Sequence, residues 1–298
     1  MRAEICMNTR MNFLCSGLLL AMWSPGCGPT HESATAPAAG LPATVVLFAP
    51  SMTEAACVLG YADKIVAITD YDRWPQEILD RPRIGGALDP DLERLAVLDP
   101  DLLILQGENE QLRRFAEGAG LRIADVKMDD DIESILQGML RLDDLLGGRE
   151  SQRGEETVAR IRARLDSIAR AQDSARPEVL LVLSRTPHVL GGIFSAGRGT
   201  FLDELLEVAG ALNWAAATGP GYFEVPLDVI AADPPDLVLE FGGSIKGDVA
   251  ERMRVWSALP GGKIEVRAVD FDGLMIPGPR IAESAEALAT VIDAGEAP

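Results

Sequence analysis

From residue 43 onward, short aliphatic runs alternate with stretches whose apolar residues recur every three or four positions. The runs at 44–49, 64–69, 101–105 and 121–127 have the length and continuous hydrophobicity of buried strands, and the stretches at 52–59 and 92–98 between them have helical spacing. This alternation predicts βα units and largely parallel sheets. Between 132 and 173 the period is helical almost throughout, with Gly147-Gly148 marking a break. The piece beyond the break runs about 25 residues, on the order of 37 Å at helical rise. Its Val158, Ile161, Leu165 and Ile168 keep to one stripe, which predicts that it lies against a core rather than standing free. After Pro177 the alternation resumes, with strands predicted at 179–183, 237–239 and 264–269 and helices at 200–209 and 280–293.

One pair of segments ties the two halves together. Residues 92–105, which open Leu92-Glu93, align without gaps on residues 227–240, which open Leu227-Asp228. Both carry an acid at the second place and Pro-Asp ahead of the strand, at Pro100-Asp101 and Pro235-Asp236. The fold class expected is α/β, with two lobes of mostly parallel sheet flanked by helices and joined by one long connecting helix. The lobes span 43–131 and 177–298, with the helical connection at 132–176.

The first 42 residues follow other rules. Arg2 and Arg10 precede an apolar stretch from about 11 to 23, and Ser24-Pro25-Gly26 lead to Cys27. This is a signal-peptide plan, too short and lopsided for a membrane-spanning helix. The small residues before Cys27 are similar to a bacterial lipobox, although Ser24 stands where an aliphatic residue is usual. Cys27 is therefore the expected lipidation site, residues 28–42 a flexible tether, and the protein extracytoplasmic and anchored to a membrane by lipid. With Cys6 and Cys15 in the leader, only Cys57 remains in the folded part, so no internal disulfide is expected. No His or basic residue adjoins Cys57 to activate it, and it reads as a small buried hydrophobe.

Charge and motifs narrow the function. A formal charge of −19 offers no net positive field for nucleic acid. Two histidines, His31 and His188, leave little material for an imidazole metal site, and no resident cofactor is expected. Ile193-Phe194-Ser195-Ala196-Gly197 lacks the first glycine of a nucleophile elbow. Gly197-Arg198-Gly199-Thr200 has neither Gly-Lys-Ser/Thr nor a sixth-position glycine, so Thr200 is expected to be a helix N-cap. Asp129-Asp130-Asp131 reads as a charged helix start. Ser51 and Glu54 have capping-box spacing after Pro50, which makes the turn a rigid strand-to-helix corner at the carboxyl end of a sheet, where open α/β sheets bind ligands. An enzyme is not expected.

The stretch from Ala49-Pro50-Ser51-Met52-Thr53-Glu54 to Leu59-Gly60, then Ile65 to Tyr71, Ile84 to Glu93 running into Pro100-Asp101, Gly199 to Leu206 and Pro277-Gly278-Pro279-Arg280 carry a resemblance. In this order and spacing, from about Thr44 to Gly295, the chain resembles the periplasmic binding proteins for cobalamin and ferric siderophores, the substrate-binding components of ABC importers. The resemblance implies a ligand in a shallow cleft between the lobes. It also implies one carboxylate on each lobe docking to arginines of a permease that works with its ATPase; Glu93 and Asp228 hold those places. Ser51 and Met52 on the turn, Tyr71 and Trp74 in the following loop, and Arg185, His188, Arg198, Trp214, Tyr222 and Phe223 on second-lobe loops are the expected ligand contacts. Aromatic walls suit the broad apolar face of a corrin or porphyrin. The ligand expected is a small-molecule metal chelate. A corrinoid comes first, then a ferric siderophore held by Arg185 and Arg198, then haem with Tyr71 or His188 as axial ligand. A surface sensor or storage lipoprotein without a permease is the alternative, and an enzyme on the same fold a weaker one. A monomer with a small hinge motion is expected, since a helical connection is stiff.

Overall fold

The computed structural model describes residues 40–171, 176–242, 249–259 and 264–294. The leader, Cys27 and residues 28–39 of the tether lie outside the described residues. From Gly40 onward the chain forms one compact unit.

The first half builds a four-stranded sheet from β1 (Val45–Leu47), β2 (Ile65–Ala67), β3 (Leu102–Leu105) and β4 (Arg122–Asp125), in the order β2-β1-β3-β4 with every pair parallel. Strands β1 and β3 are buried at every residue, as their unbroken aliphatic sequence requires of a parallel sheet covered on both faces. The helices are α1 (Pro50–Val58), α2 (Leu92–Leu98) and α3 (Glu110–Ala119). The hydrophobic pattern does not announce α3, which buries only Leu112 and Ala116 among charged neighbours and is set by an Asn109 N-cap.

Two helices in series connect the halves: α4 (Ile132–Gly147) and α5 (Arg153–Ala171). The break falls at Gly147-Gly148, where Gly148 has φ 83°, but α5 has 19 residues and is shorter than its period predicts. Buried Asp143 sets where it starts. It accepts from Ser151 Oγ at 2.8 Å and from the Gly154 amide at 2.8 Å, and so holds residues 148–152 as a turn. A β-carbon on Gly154 would lie 2.9 Å from the Asp143 side chain, so the helices touch there. The acidic run does start a helix, as expected, and its last residue, Asp131, forms a reciprocal capping box with Ser134 on α4.

The second half adds β5 (Glu178–Ser184), β6 (Ile193–Ala196), α6 (Phe201–Val208), β7 (Leu212–Asn213), α7 (Trp214–Thr218), β8 (Tyr222–Val225), α8 (Leu227–Ala232), β9 (Leu237–Phe241), α9 (Val249–Trp256), β10 (Glu265–Val269) and α10 (Ile281–Asp293). The sheet runs β10-β9-β5-β6-β8, with β7 beside β5. Strands β10, β9 and β5 are parallel, while β6 pairs antiparallel with both β5 and β8. Thr200 caps α6 as expected, accepting from the Asp203 amide at 3.1 Å.

The repeat explains its own Pro-Asp. Asp101, just ahead of β3, accepts the amides of Ala43 and Thr44 at 2.7 and 2.9 Å, and Asp236, just ahead of β9, accepts the amide of Glu178 at 2.8 Å. Each aspartate thus clasps the beginning of the neighbouring parallel strand, β1 or β5. The halves also share one apolar core. Leu47 and Ile104 of the first sheet, Leu136 of α4, Leu165 of α5, Leu181 and Leu239 of the second sheet and Leu288 of α10 belong to a single buried cluster. Each such leucine contributes roughly 1.5–3 kcal/mol.

Candidate functional site

The turn after β1 places the site. Pro50 occupies the first turn of α1 and Ala49 is its N-cap, without a side-chain cap. The expected capping box of Ser51 and Glu54 does not form. Glu54 turns inward, 2% exposed, and accepts from Arg280 Nε at 2.8 Å and Nη2 at 2.5 Å. Arg280 lies just ahead of α10, 226 residues away, so this ion pair bolts the first half to the second. Its guanidinium lies 4.9 Å from the Trp74 ring centroid and 5.5 Å from that of Phe271. Burial pushes the Glu54 carboxyl above its ordinary value, more than the hydrogen bonds and charge of Arg280 pull it down. Burial also raises Asp72, against the pull of hydrogen bonds from Thr69.

Above this bolt is a cavity of about 720 Å³ lined from both halves, by Pro50, Glu54, Tyr71, Arg73 and Trp74 and by Phe241, Asp272, Met275, Ile276 and Arg280. Two cations face two carboxylates, so the lining is balanced in a chain of net charge −19. The arginines are already engaged: Arg73 donates to the Asp70 carbonyl at 2.6 Å, and Arg280 holds Glu54. Tyr71, 62% exposed, stands on the wall with its ring against Gly86, where a β-carbon would lie 2.6 Å from Cε2. On the other side of the turn, Phe48 and Ala49 line a second cavity of about 590 Å³ with Gln106, Gly107 and Asp129. Desolvation of the phenol, and then the charge of Asp129 on the loop after β4, push the Tyr222 hydroxyl up to about 12, even though the residue as a whole is 42% exposed.

Of the residues expected to meet ligand, Tyr71 and Trp74 come together in the larger cavity. Ser51 and Met52 are 3% and 0% exposed; the helix turns them into the protein, so the turn offers Pro50 instead. Arg185 is corrected from ligand contact to internal ion pair. Its side chain is 2% exposed and donates from Nε to Glu240 at 2.6 Å, and Glu240 also accepts from Trp256 Nε1 at 2.6 Å. Trp214 is likewise buried, donating to the Asp233 carbonyl at 2.9 Å. Tyr222 and Phe223 lie on β8 rather than on a loop; Tyr222 is exposed, while Phe223 packs against the core of the second sheet. Arg198 and His188 are exposed, His188 with φ 62°. Cys57 is half-buried against the core, its thiol raised to about 12 by burial and then by Glu77, Asp72 and Glu54.

Glu93 on α2 and Asp228 on α8 are both exposed and have no ion pair among the described residues. Sequence reasoning missed Glu54 and Arg280 as a unit. The available signal was a lone carboxylate on a helix otherwise made of small and apolar residues, which calls for a cation from elsewhere. No helix among the described residues is long and apolar enough to cross a membrane.

Comparison with known proteins places this geometry. A family model described as periplasmic binding protein matches residues 45–253. An uncharacterized ABC transporter substrate-binding lipoprotein of Bacillus subtilis (strain 168) is 26% identical over 84% of this chain and 80% of its own length. A vitamin B12-binding protein of Vibrio cholerae is 22% identical over 83% of this chain and 88% of its own. The solved structure of a periplasmic heme binding protein from Pseudomonas aeruginosa superposes with a TM-score of 0.71 at 29% identity, covering 86% of this chain and 95% of that one.

Proposed function

Because the chain belongs to the periplasmic binding protein family, we propose that it is the extracytoplasmic substrate-binding component of an ABC importer and that it carries a corrinoid in the cavity between its lobes. The observation that carries the ligand assignment is the make-up of that cavity: about 720 Å³, aromatic on the wall at Tyr71 and Trp74, apolar at Met275 and Ile276, and balanced in charge. A corrin ring decorated with amides is broad, apolar on its faces and rich in neutral acceptors, and it needs no excess of cations. The Nη1 nitrogen of Arg280 has no acceptor among the described residues and is free to donate to such an amide. A ferric siderophore with several negative charges is the poorer fit, since the charge of Arg280 is already balanced by Glu54 and the lining carries as many carboxylates as cations. The vitamin B12-binding relative supports the corrinoid reading.

Haem is the second reading, and one observation favours it: Tyr71 stands exposed on the cavity wall, where a phenol oxygen is a competent iron ligand. In either reading Glu93 and Asp228 dock the loaded protein to its permease, and lipid on Cys27 keeps it at the membrane. The test is a visible spectrum of residues 28–298 after incubation with cyanocobalamin, haemin or a ferric hydroxamate and removal of free compound. Retained corrin bands at one equivalent are expected. A Soret band that is lost in Tyr71→Phe would transfer the assignment to haem, and no retained chromophore would defeat both readings.

A further inference from the structure

Two arginines meet at the carboxyl ends of β5 and β9: Arg185 and Arg252, whose side chains are only 2% and 6% exposed. Among the described residues they share one buried carboxylate, Glu240, and it is fully used without Arg252. Its Oε1 accepts from Arg185 Nε and from Trp256 Nε1, each at 2.6 Å, and its Oε2 accepts from Arg185 Nη2 at 3.4 Å. Arg252 of α9 is left over. Its Nε and Nη1 are buried and have no acceptor among the described residues. Its one ion pair among them is with Asp270, 3.7 Å from Nη2, which is too long for a hydrogen bond, and the Asp270 side chain is 65% exposed. A buried charge with so weak a partner is costly, yet the fold makes room for it. At Gly242, just past β9, a β-carbon would lie 3.1 Å from Arg252 Nη1 and would collide with the Asp270 carboxylate.

The position of this cation gives it a use. Strand β9 ends at Phe241, and Asp270 comes two residues before Asp272; Phe241 and Asp272 both line the cavity between the lobes. Since that lining is balanced in charge, Arg252 is a surplus cation at its edge. We propose that Arg252 anchors the one anionic group of an otherwise neutral ligand. Resting on the corrinoid reading above, that group is the phosphodiester of the nucleotide loop, which lies outside the macrocycle. Swinging the guanidinium toward Asp270, on the side open to water, exchanges two unsatisfied buried donors for charge-assisted bonds to phosphate oxygens, which the planar fork of an arginine fits in pairs. Asp270 is the competitor that the anion displaces.

The test compares, on the full chain, the affinities for cyanocobalamin and for dicyanocobinamide, a corrinoid that lacks the nucleotide and its phosphodiester. The native protein is expected to hold cyanocobalamin at least about tenfold more tightly. Arg252→Met is expected to abolish that preference, weakening cyanocobalamin about tenfold and leaving dicyanocobinamide unchanged, and Arg252→Lys to restore part of it. The ligand-free Arg252→Met protein is expected to melt at a higher temperature than the native one, because it no longer buries an ill-paired charge; an arginine kept for structure would give the reverse. Native affinities that do not differ, equal weakening of both compounds in Arg252→Met, or a lowered melting temperature with both affinities intact overturns the anchor and leaves the corrinoid reading standing. Binding of neither compound by the native protein overturns both.

Discussion

The two halves neutralise buried charge in different ways. In the second, Glu240 of β9 is held by Arg185, which follows β5, and by Trp256 of α9, so the carboxylate, its cation and its second donor all belong to one sheet and its helix. In the first, Glu54 of α1 has no such local cation and takes Arg280 from the far end of the chain. For these two carboxylates, the second lobe supplies its own cation, whereas the first takes one from the second. A repeat that shares helices, strands and even its strand clasps can therefore differ in what makes each copy self-sufficient.

The largest effect that tests this contrast comes from Arg280→Met. It strands the Glu54 carboxylate in a buried site and is expected to cost roughly 3–5 kcal/mol in denaturant unfolding, with hydrogen exchange rising in α1 and α10 together. Arg185→Met should cost a similar amount but loosen only β5, β9 and α9; exchange that also rises in α1 would erase the distinction. Next in size is the ligand wall. Trp74→Ala and Tyr71→Ala should each weaken cyanocobalamin retention by about tenfold, and Phe223→Ala, on a side chain committed to the core, should lower stability without that loss. Equal weakening by all three in equilibrium dialysis would mean that the second lobe contributes more of the site than its packing suggests.

The smallest effects are in pH. Burial raises the Glu54 carboxyl above 4.5, so its contribution to stability is fully present below 4.5 and lost as pH rises through the folded value. The stability of the native chain relative to Glu54→Gln should therefore improve as pH falls toward 4.5. Asp101 goes the other way. The Thr44 and Ala43 amides hold it below 3.8, so its contribution is present above 3.8 and lost as pH falls through the folded value. The gap between the native chain and Asp101→Asn should narrow on acidification. Melting curves from pH 3 to 7 in which both gaps moved in the same direction would contradict the assignment.

Much of the frame was legible because parallel strands covered on both faces leave unbroken aliphatic runs, as at Leu102–Leu105, and because the two Pro-Asp segments announce the repeat. The antiparallel pair β6 and β8 was not. Tyr222–Val225 alternates exposed and buried over four residues, too few to separate a strand from a loop. In the site, Tyr71 and Trp74 could be read because aromatics clustered in one polar loop need a reason to be there. Arg185 was misread because an arginine after a strand looks the same whether its carboxylate comes from a ligand or from Glu240, 55 residues on. Glu54 was misread because Ser51 offered it a local partner, whereas the real one was 226 residues distant.

Since Leu47, Leu136, Leu165 and Leu181 lie in one unbroken core, the molecule is built more as a bowl than as a pair of jaws. A bowl would announce its contents by being full, not by changing its outline, and on the importer reading proposed above the two feet at Glu93 and Asp228 would keep their spacing whether it is full or empty. Loaded and empty copies would then compete for the same berth on nearly equal terms. On that reading the direction of traffic would come from the machine that receives the bowl and from how quickly it lets an emptied one go.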